Sequence, residues 1–416
     1  MLVVAIANIF RLAFLFLISA LIYFFDKNRA IYFFLNAAGP SFIKLGQVLS
    51  IRPDLVGEKL ATTLSSFQDS LAPFSAKFDE DFLKNFFEFN PKPVASASIA
   101  QVHKAKLKTG EDVAVKILRP RIAQIMARDI STLRIIAKFL PRIFSDIADL
   151  LAQVSKSELD LLLEAANASK LREDLKGVKG FYVPTIFWKF SSEKILVLEW
   201  LDGIPFSNSQ AIKNSSHDKK QIAQNLVVSY FNQVYVHGFF HGDMHPGNLF
   251  LLKNGDIGVV DFGIMGKLDK KTRLAVAEIL IGFLHKDYQR VAQLHVDVGL
   301  VPKDTDIDGL ALSCRKIGET VVGLNVSDIS IAKLLTSLIT MTRDYKMETR
   351  PDLLLLQKTV LVVEGVGVTL DPDLNIWELA RPWVAEWAKK NIGFDAKIRD
   401  AFVDLFELAR KFLRSA

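Results

Sequence analysis

The stretch from His241 to Gly263, HGDMHPGNLFLLKNGDIGVVDFG, limits what this chain can fold into more than any other. It sets three oxygen-bearing side chains at fixed separations. Asp243 can take a proton from, or orient, an attacking hydroxyl or water. Asn248, five residues on, can offer an amide oxygen to magnesium, and Asp261 can hold the same ion against nucleotide phosphates. Leu249 to Leu252 and Ile257 to Val260 read as two short strands, with Asn254-Gly255 between them as a tight hairpin turn. Such a hairpin returns the chain, so that Asn248 and Asp261 come to the same end, as a shared cation requires. Clusters of Gly, Asp and Pro are ordinary loop chemistry on their own; the specific signal is D-x4-N, a hairpin and D-F-G in succession. Histidines at 237, 241 and 245 invite a zinc reading, but Gly238, Gly242 and Pro246 interrupt the helical face that all three would need to share.

With 416 residues the chain has room for two or three lobes and a large core. Half its residues are apolar, 31 of them Phe, and the mean hydropathy of +0.23 points toward membrane contact. The net charge of +6 is spread along the chain, without the basic block or aromatic–basic alternation of a nucleic-acid binder. Attraction to an anionic membrane surface accounts for it more economically. The single cysteine, Cys314, excludes an internal disulfide and a cysteine zinc cluster, with a reducing, cytosol-facing compartment as the default.

Leu2 to Phe25 is almost wholly apolar. As a helix it reaches about 36 Å, enough to cross a bilayer. Arg11, however, falls near its middle, where a cation costs roughly 2.5–3.5 kcal/mol, and the charge-free part, Leu12 to Phe25, is too short to span alone. Asn8, Arg11, Ser19 and Asp26 form one thin polar stripe at helical spacing. The segment is expected to attach to a membrane, spanning it or lying on it, with burial in a protein core as the competing reading. No basic residue precedes the apolar run and no small-residue cleavage site follows, which argues against a secretory signal.

Pro40 starts and Pro53 ends a helix carrying Lys44 and Gln47 on one face, which read alone is a solvated surface. A second helical piece passes through Gln68-Asp69-Ser70. From Val94 the pattern turns to strands. Ala95, Ser96, Ala97, Ser98, Ile99, Ala100 and Val102 follow the register of the kinase G-x-G-x-x-G-x-V loop, with Ala at every Gly position. Alanine limits backbone approach to phosphate, so either the nucleotide sits differently or the loop is stiffer than usual. After the turn Lys108-Thr109-Gly110-Glu111 comes Val113-Ala114-Val115-Lys116, whose terminal cation can pair with nucleotide phosphates. Arg119 to Phe139 and Ser145 to Leu175 read as helices. The second carries Glu158, Asp160 and Glu164, with Glu164 the candidate partner of Lys116; a solvent-facing acidic face is the alternative. Glu158 and Asp160, two apart, cannot point the same way and need separate roles. Val183 to Phe187 and Ile195 to Leu201 read as strands, the second ending at Glu199-Trp200-Leu201, where a kinase hinge reads adenine through backbone groups. The larger lobe starts near Asp202. Lys219 to Tyr235 is helical, and helices resume from Lys271 through Leu284 and onward. No Ala-Pro-Glu follows Gly263, which weakens the case for peptide docking, and Asp395 to Leu413 has an amphipathic helical pattern.

K-L-G-Q at 44–47, the alanine loop at 95–100, E-x-D at 158–160 and H-G-D-x-H-P-G-N at 241–248 together resemble the UbiB family of atypical kinase-like proteins, also called ABC1 or aarF. The resemblance covers roughly residues 37 to 370. It implies an α+β, protein-kinase-like two-lobed fold, with a helical KxGQ extension at 37–92, an N-lobe at 93–201 and a mostly helical C-lobe at 202–416, after the apolar membrane-associating helix read from composition at 1–36. It further implies that the KxGQ helix folds over the nucleotide site, with Lys44 meeting Glu158 and Asp160, and Lys116 pairing with Glu164. Lys44, Gln47, Glu158 and Asp160 are then regulatory. Asp243, Lys116 and Glu164 are catalytic, and Asn248 and Asp261 hold the metal. The alanine loop, Lys116, Glu199 and Leu201 bind ATP. The cofactors expected are ATP and Mg2+. The activity implied is an ATPase supporting ubiquinone biosynthesis at the cytoplasmic face of a bacterial inner membrane, with membrane lipids, quinone-precursor lipids and quinone-biosynthesis enzymes as partners. A small-molecule kinase of the aminoglycoside or choline type, and a nucleotide-gated scaffold, are the rival readings. Bacterial members commonly end in apolar membrane segments; none is read here, and the apolar N-terminus is the expected substitute.

Overall fold

The computed structural model describes residues 2–50, 56–65, 72–76, 78–321 and 350–371, with isolated positions between 334 and 345 and between 382 and 391. The chain divides into two units. The first holds Met1–Glu173, Val183–Asp202 and Val260–Ile264; the second holds Asp174–Tyr182, Gly203–Val259 and Met265–Ala416.

The first unit opens with helices α1 (Leu2–Tyr23), α2 (Lys27–Ala38), α3 (Pro40–Ser50) and α4 (Glu58–Ser65). Asp26 caps α2 by accepting from the Arg29 amide, and Gly39 at φ 102° breaks the chain before Pro40 restarts it. Strands β1 (Phe86–Phe89), β2 (Ala95–Ser96), β3 (Ala100–Leu107) and β4 (Asp112–Leu118) follow. Both β1 and β2 pair with β3, as two pieces of one edge. Pro91 and Pro93, which cannot donate to a ladder, separate them. Gly110, at φ 108°, turns β3 back into β4. The sheet therefore begins at Phe86, inside the range expected for the helical extension, because Phe86 and Phe89 have a buried apolar face to fill beside Leu107, Val113 and Val115.

Next come α5 (Ile122–Ala137), α6 (Ile143–Glu158) and α7 (Leu161–Asp174). The single helix expected from Ser145 to Leu175 is thus broken in two. Asp160 causes the break: its carboxylate accepts from the amides of Leu162 and Leu163 and starts a new helix. β5 (Phe181–Tyr182) belongs to the second unit, and β6 (Ile195–Glu199) completes the first sheet in the order β1-β3-β4-β6. The strand expected over Val183 to Phe187 reduces to one bridge, Ile186 to Leu198. One core joins the extension to this lobe: Leu12, Leu35, Phe42, Ile43, Leu64, Ile99, Met126 and Leu151 pack together. In the polar stripe of α1, Asn8 and Ser19 are buried and Arg11 is half-buried, whereas Asp26 beyond its end is exposed. Asn8 donates to Asp129 and Thr132, Ser41 donates to Asp129, and Arg11 donates to the Ala38 carbonyl.

In the second unit, β7 (Gly203–Pro205) and α8 (Lys219–Phe231) precede β8 (Phe239–His241), β9 (Leu249–Leu252), β10 (Ile257–Val259) and β11 (Met265–Lys267). The helix expected to reach Tyr235 ends as one wide π turn, Asn232–His237. Gly238 closes it at φ 64°, where a Cβ would lie 2.4 Å from the Leu268 carbonyl. The sheet order is β5-β10-β9-β7, and β8 pairs separately with β11. Pairing of Leu251 with Ile257 and a Leu252 amide bond to Asp256 make the hairpin loop Lys253-Asn254-Gly255, with Gly255 at φ 89°. This is the three-residue loop with a left-handed third position, one residue longer than the turn expected from Asn254-Gly255 alone.

Helices α9 (Lys270–Leu284), α10 (Tyr288–Asp297), α11 (Ile307–Val321) and α12 (Pro351–Leu370) follow. By length and composition α12 could cross a membrane, yet half of it is buried in the protein. Tyr230 donates to its Leu356 carbonyl, so it serves here as a core helix. The expected helical segments at Gln68–Ser70 and Asp395–Leu413 lie outside the described residues.

Candidate active site

Five charges in the first unit form one string. Lys116, on β4, donates to Glu164 of α7 at 2.8 and 2.9 Å and lies 3.3 Å from Asp261. Burial works against a charged lysine here, but Asp261 and Glu164 outweigh it and hold the ammonium well above its ordinary pKa. Lys44, on α3, is 7% exposed and lies 2.5 Å from Glu158, so a freely solvated Lys44 is ruled out. Gly263 stands between the two pairs: a Cβ built there would lie 3.3 Å from the Asp261 carboxylate and 3.6 Å from that of Glu158. Among the described residues, two lysines here face three carboxylates. Asp160 is placed apart from Glu158 as a helix cap, which gives the two acids the separate jobs their spacing demands. Gln47 is half-buried on α3.

Among the described residues, Asp261 is one of three non-glycine residues at positive φ, here 64°. A strained backbone at this position is maintained by what surrounds it. Glu164 accepts from the Phe262 amide, Asn167 donates to the Phe262 carbonyl, and the Phe262 ring is fully buried. One turn of α7 thus fixes both the lysine and the D-F-G backbone.

The alanine loop is tethered. The Arg119 guanidinium donates to the Ala97 carbonyl and to Ser96 Oγ, and its own amide donates to the Ile99 carbonyl. It also reaches the Ala72 carbonyl and lies over the Phe74 ring. Ser98, Ile99 and Ala100 are buried, the last two in the helical core, whereas Ala95, Ser96, Ala97 and Val102 retain exposure. One arginine thus ties Ser96, Ala97 and Ile99 of the loop together. At the end of β6, the Glu199 amide donates to the Thr185 carbonyl, and its carboxylate accepts from Thr185 in turn. Trp200 donates to the Asp112 carbonyl, which pins the turn into Leu201.

In the second unit, Gln233 accepts from the His241 amide, and His241 Nδ1 accepts from the Asp243 amide. His245 Nδ1 accepts from Gly247, and His237 lies 3.6 Å from Asp174. The three histidines thus have three separate partners, and no cluster of three His, Cys, Asp or Glu residues fit for a metal occurs among the described residues. Asn248 donates its amide nitrogen to the Asp243 carbonyl at 3.0 Å, which leaves the side-chain oxygen as a hard ligand for magnesium. The sequence reading missed Lys358. Its ammonium lies 3.1 Å from Asp243 Oδ1, and the hydroxyl of the next residue, Thr359, is shared between the Gly242 and Leu355 carbonyls. A Gln-Lys-Thr interruption in the apolar run of α12 was the available signal.

An antiparallel sheet whose lysine is paired to a helix glutamate, ahead of a catalytic-type loop and D-F-G, defines a protein-kinase-like fold. Residues 63–295 match the ABC1 atypical kinase-like domain, and residues 314–375 match the UbiB helical domain. The chain belongs to the ABC1 atypical kinase family, in its UbiB branch. It is 38% identical over 396 residues to "Probable protein kinase UbiB" of Histophilus somni (strain 129Pt), covering 88% of this chain and 73% of that protein. With the protein of the same name from Azotobacter vinelandii it shares 38% identity over 384 residues, 86% of this chain and 71% of the other. Among solved structures, the complex of Rv3197 with erythromycin from Mycobacterium tuberculosis shares the fold, with a TM-score of 0.54 and 24% identity over 81% of this chain and 90% of that one.

Proposed function

We propose that this protein is a magnesium-dependent ATPase of the kinase-like type that supports ubiquinone biosynthesis at a membrane by handling lipid-like quinone precursors. The observation that carries the reading is the half-buried Lys116, held charged by Asp261 and Glu164 where a phosphate-binding lysine belongs. Bound magnesium nucleotide supplies the phosphoryl group. In the first unit Lys116 would offer a fixed positive charge to its phosphate oxygens and Asp261 an oxygen to the ion; in the second, Asn248 would offer an amide oxygen to magnesium and Asp243 would orient water. Hydrolysis suits this site better than peptide phosphorylation, because no Ala-Pro-Glu segment follows Gly263 and the Lys44–Glu158 pair anchors the helical extension beside the D-F-G segment.

Support for the membrane comes from α1. Its Asn8 and Ser19 are buried in the protein, while Phe10, Phe14, Phe16, Leu17 and Leu21, and Phe24 and Phe25 just beyond its end, are exposed. A helix that keeps Asn8 and Arg11 bonded to α5 and α2 cannot also thread a bilayer, so we assign it to the plane of the lipid surface.

The test is phosphate release from the purified protein with MgATP, with and without anionic liposomes and a quinone-precursor phenol. Release stimulated by lipid or phenol is expected. Asp243→Asn should reduce it at least about 100-fold, the scale of losing a positioned acid–base group. Wild-type rates in that variant would sink the assignment.

A further inference from the structure

We propose that Lys358 is a positioning residue for Asp243, so that the C-terminal helical region completes the catalytic loop. The inference rests on the reading of Asp243 as the group that orients the attacking oxygen. The observation is a clamp with two points. Lys358 Nζ binds Asp243 Oδ1 at 3.1 Å, and Thr359 Oγ1 shares its one proton between the Gly242 carbonyl at 3.1 Å and the Leu355 carbonyl of its own helix at 2.8 Å. Two adjacent residues on α12 thus grip two adjacent residues of the loop.

Thr359 is fully buried, and Tyr230 donates to the Leu356 carbonyl one turn before it, so the clamp stands on a fixed helix. A surface lysine draped over a carboxylate would have neither support. Lys358 is partly shielded, its side chain 29% exposed and that of Asp243 32% exposed. On the other side of the loop, His241 Nδ1 accepts the Asp243 amide and Asn248 binds the Asp243 carbonyl. Every polar group of Asp243 is therefore engaged except Oδ2, which has no partner among the described residues.

The arrangement assigns the two carboxylate oxygens different tasks. Oδ1 is held by Lys358, which fixes the rotamer, and Oδ2 is left to accept a hydrogen bond from the attacking oxygen. A carboxylate held this way is preorganised, and displacement of such a group by about 1 Å can cost about 100-fold in rate. A charge-assisted bond has the direction and strength for the task.

The test compares Lys358→Met, which keeps the stem and removes the charge, with Lys358→Arg, which keeps a charge. Three quantities are read: turnover of MgATP, affinity for MgADP, and hydrogen exchange of the peptide spanning Gly238–Asn248. In Lys358→Met, turnover should fall about 30- to 100-fold while MgADP affinity stays within about 2-fold, and exchange of the loop should quicken about 5-fold or more. Lys358→Arg should recover both turnover and protection in part. Unchanged exchange and unchanged turnover in Lys358→Met would overturn the proposal, as would equal losses of nucleotide affinity and turnover, which mark general damage. A wild-type protein without turnover would overturn the ATPase reading instead, leaving loop exchange to decide the positioning role by itself.

Discussion

At the scale of single residues the charge string decides most. Lys44 and Glu158 are each less than a tenth exposed at their side chains, so neither can fall back on water when the other is removed. Lys44→Ala should therefore destabilise the first unit by about 3–5 kcal/mol, the usual cost of an orphaned buried charge. Adding Glu158→Gln should return part of that loss, and urea unfolding of both variants checks it. Equal stability of Lys44→Ala and the unaltered protein would mean that water reaches Glu158. Sequence spacing made some of this grouping legible. Val-Ala-Val-Lys ends a strand, and Glu164 lies on a helix that can reach it. The partner of Lys44 was not legible from spacing, since Lys and Gln three apart look solvated until something covers them. Lys358 was less legible still, lying 115 residues from Asp243 on a helix whose composition speaks only of burial.

At the scale of elements, the segment at 72–76 shows how a short strap is held without regular structure. Gln101 of β3 binds both the amide and the carbonyl of Phe74, and its amide nitrogen also meets His103 Nε2 at 2.9 Å. His103 Nδ1 donates to the Asn90 carbonyl, so Nε2 must be the acceptor and the ring must be neutral. Burial lowers the His103 pKa, with the Asn90 bond opposing in part. The sign follows: a depressed histidine gives stability that is complete above its unfolded value of about 6.5 and is lost as pH falls through the folded value. Protonation would set two N–H groups against each other and force Gln101 to release Phe74. Hydrogen exchange of residues 72–76, corrected for intrinsic rate, should lose protection between pH 7.5 and pH 5.5, and His103→Gln should remove that dependence. Equal protection at both pH values would assign the strap to other contacts. Period and propensity located most helices and strands, but not the break at Asp160, where only an Asp before Leu161-Leu162-Leu163 signals a cap.

At the scale of the whole molecule, α1 is the element whose role the sequence left most open. Its composition fits a spanning helix, a surface helix and a core helix alike. What separates them is which side of the helix the protein covers. Leu12 is in the helical core, with Leu15 packed against it, and the fully buried Asp129 gathers Asn8, Ser41 and Arg128, with Arg11 3.7 Å away. Removing residues 2–25 should therefore not yield a better-behaved soluble domain. It would uncover Leu35, Ile43 and Ile130 and leave Asp129 with fewer donors, at a cost on the scale of about 2–5 kcal/mol for each large apolar side chain lost from the core. The outward face should behave in the opposite way. Phe14→Glu and Leu17→Glu change residues that are 63% exposed, so unfolding temperature should stay within about 2 °C, because surface changes away from such features are usually small. The same substitutions should weaken flotation with anionic vesicles at least about tenfold, since each loses the burial of a Phe or Leu side chain, worth about 1.5–3 kcal/mol, and adds a negative charge. Unchanged flotation would place the membrane contact elsewhere. Lost stability in the two variants would show that this face packs on protein, including a second copy of the chain. Only the combination of a fragile deletion, stable face variants and lost flotation fits a helix that is core on one side and lipid-facing on the other.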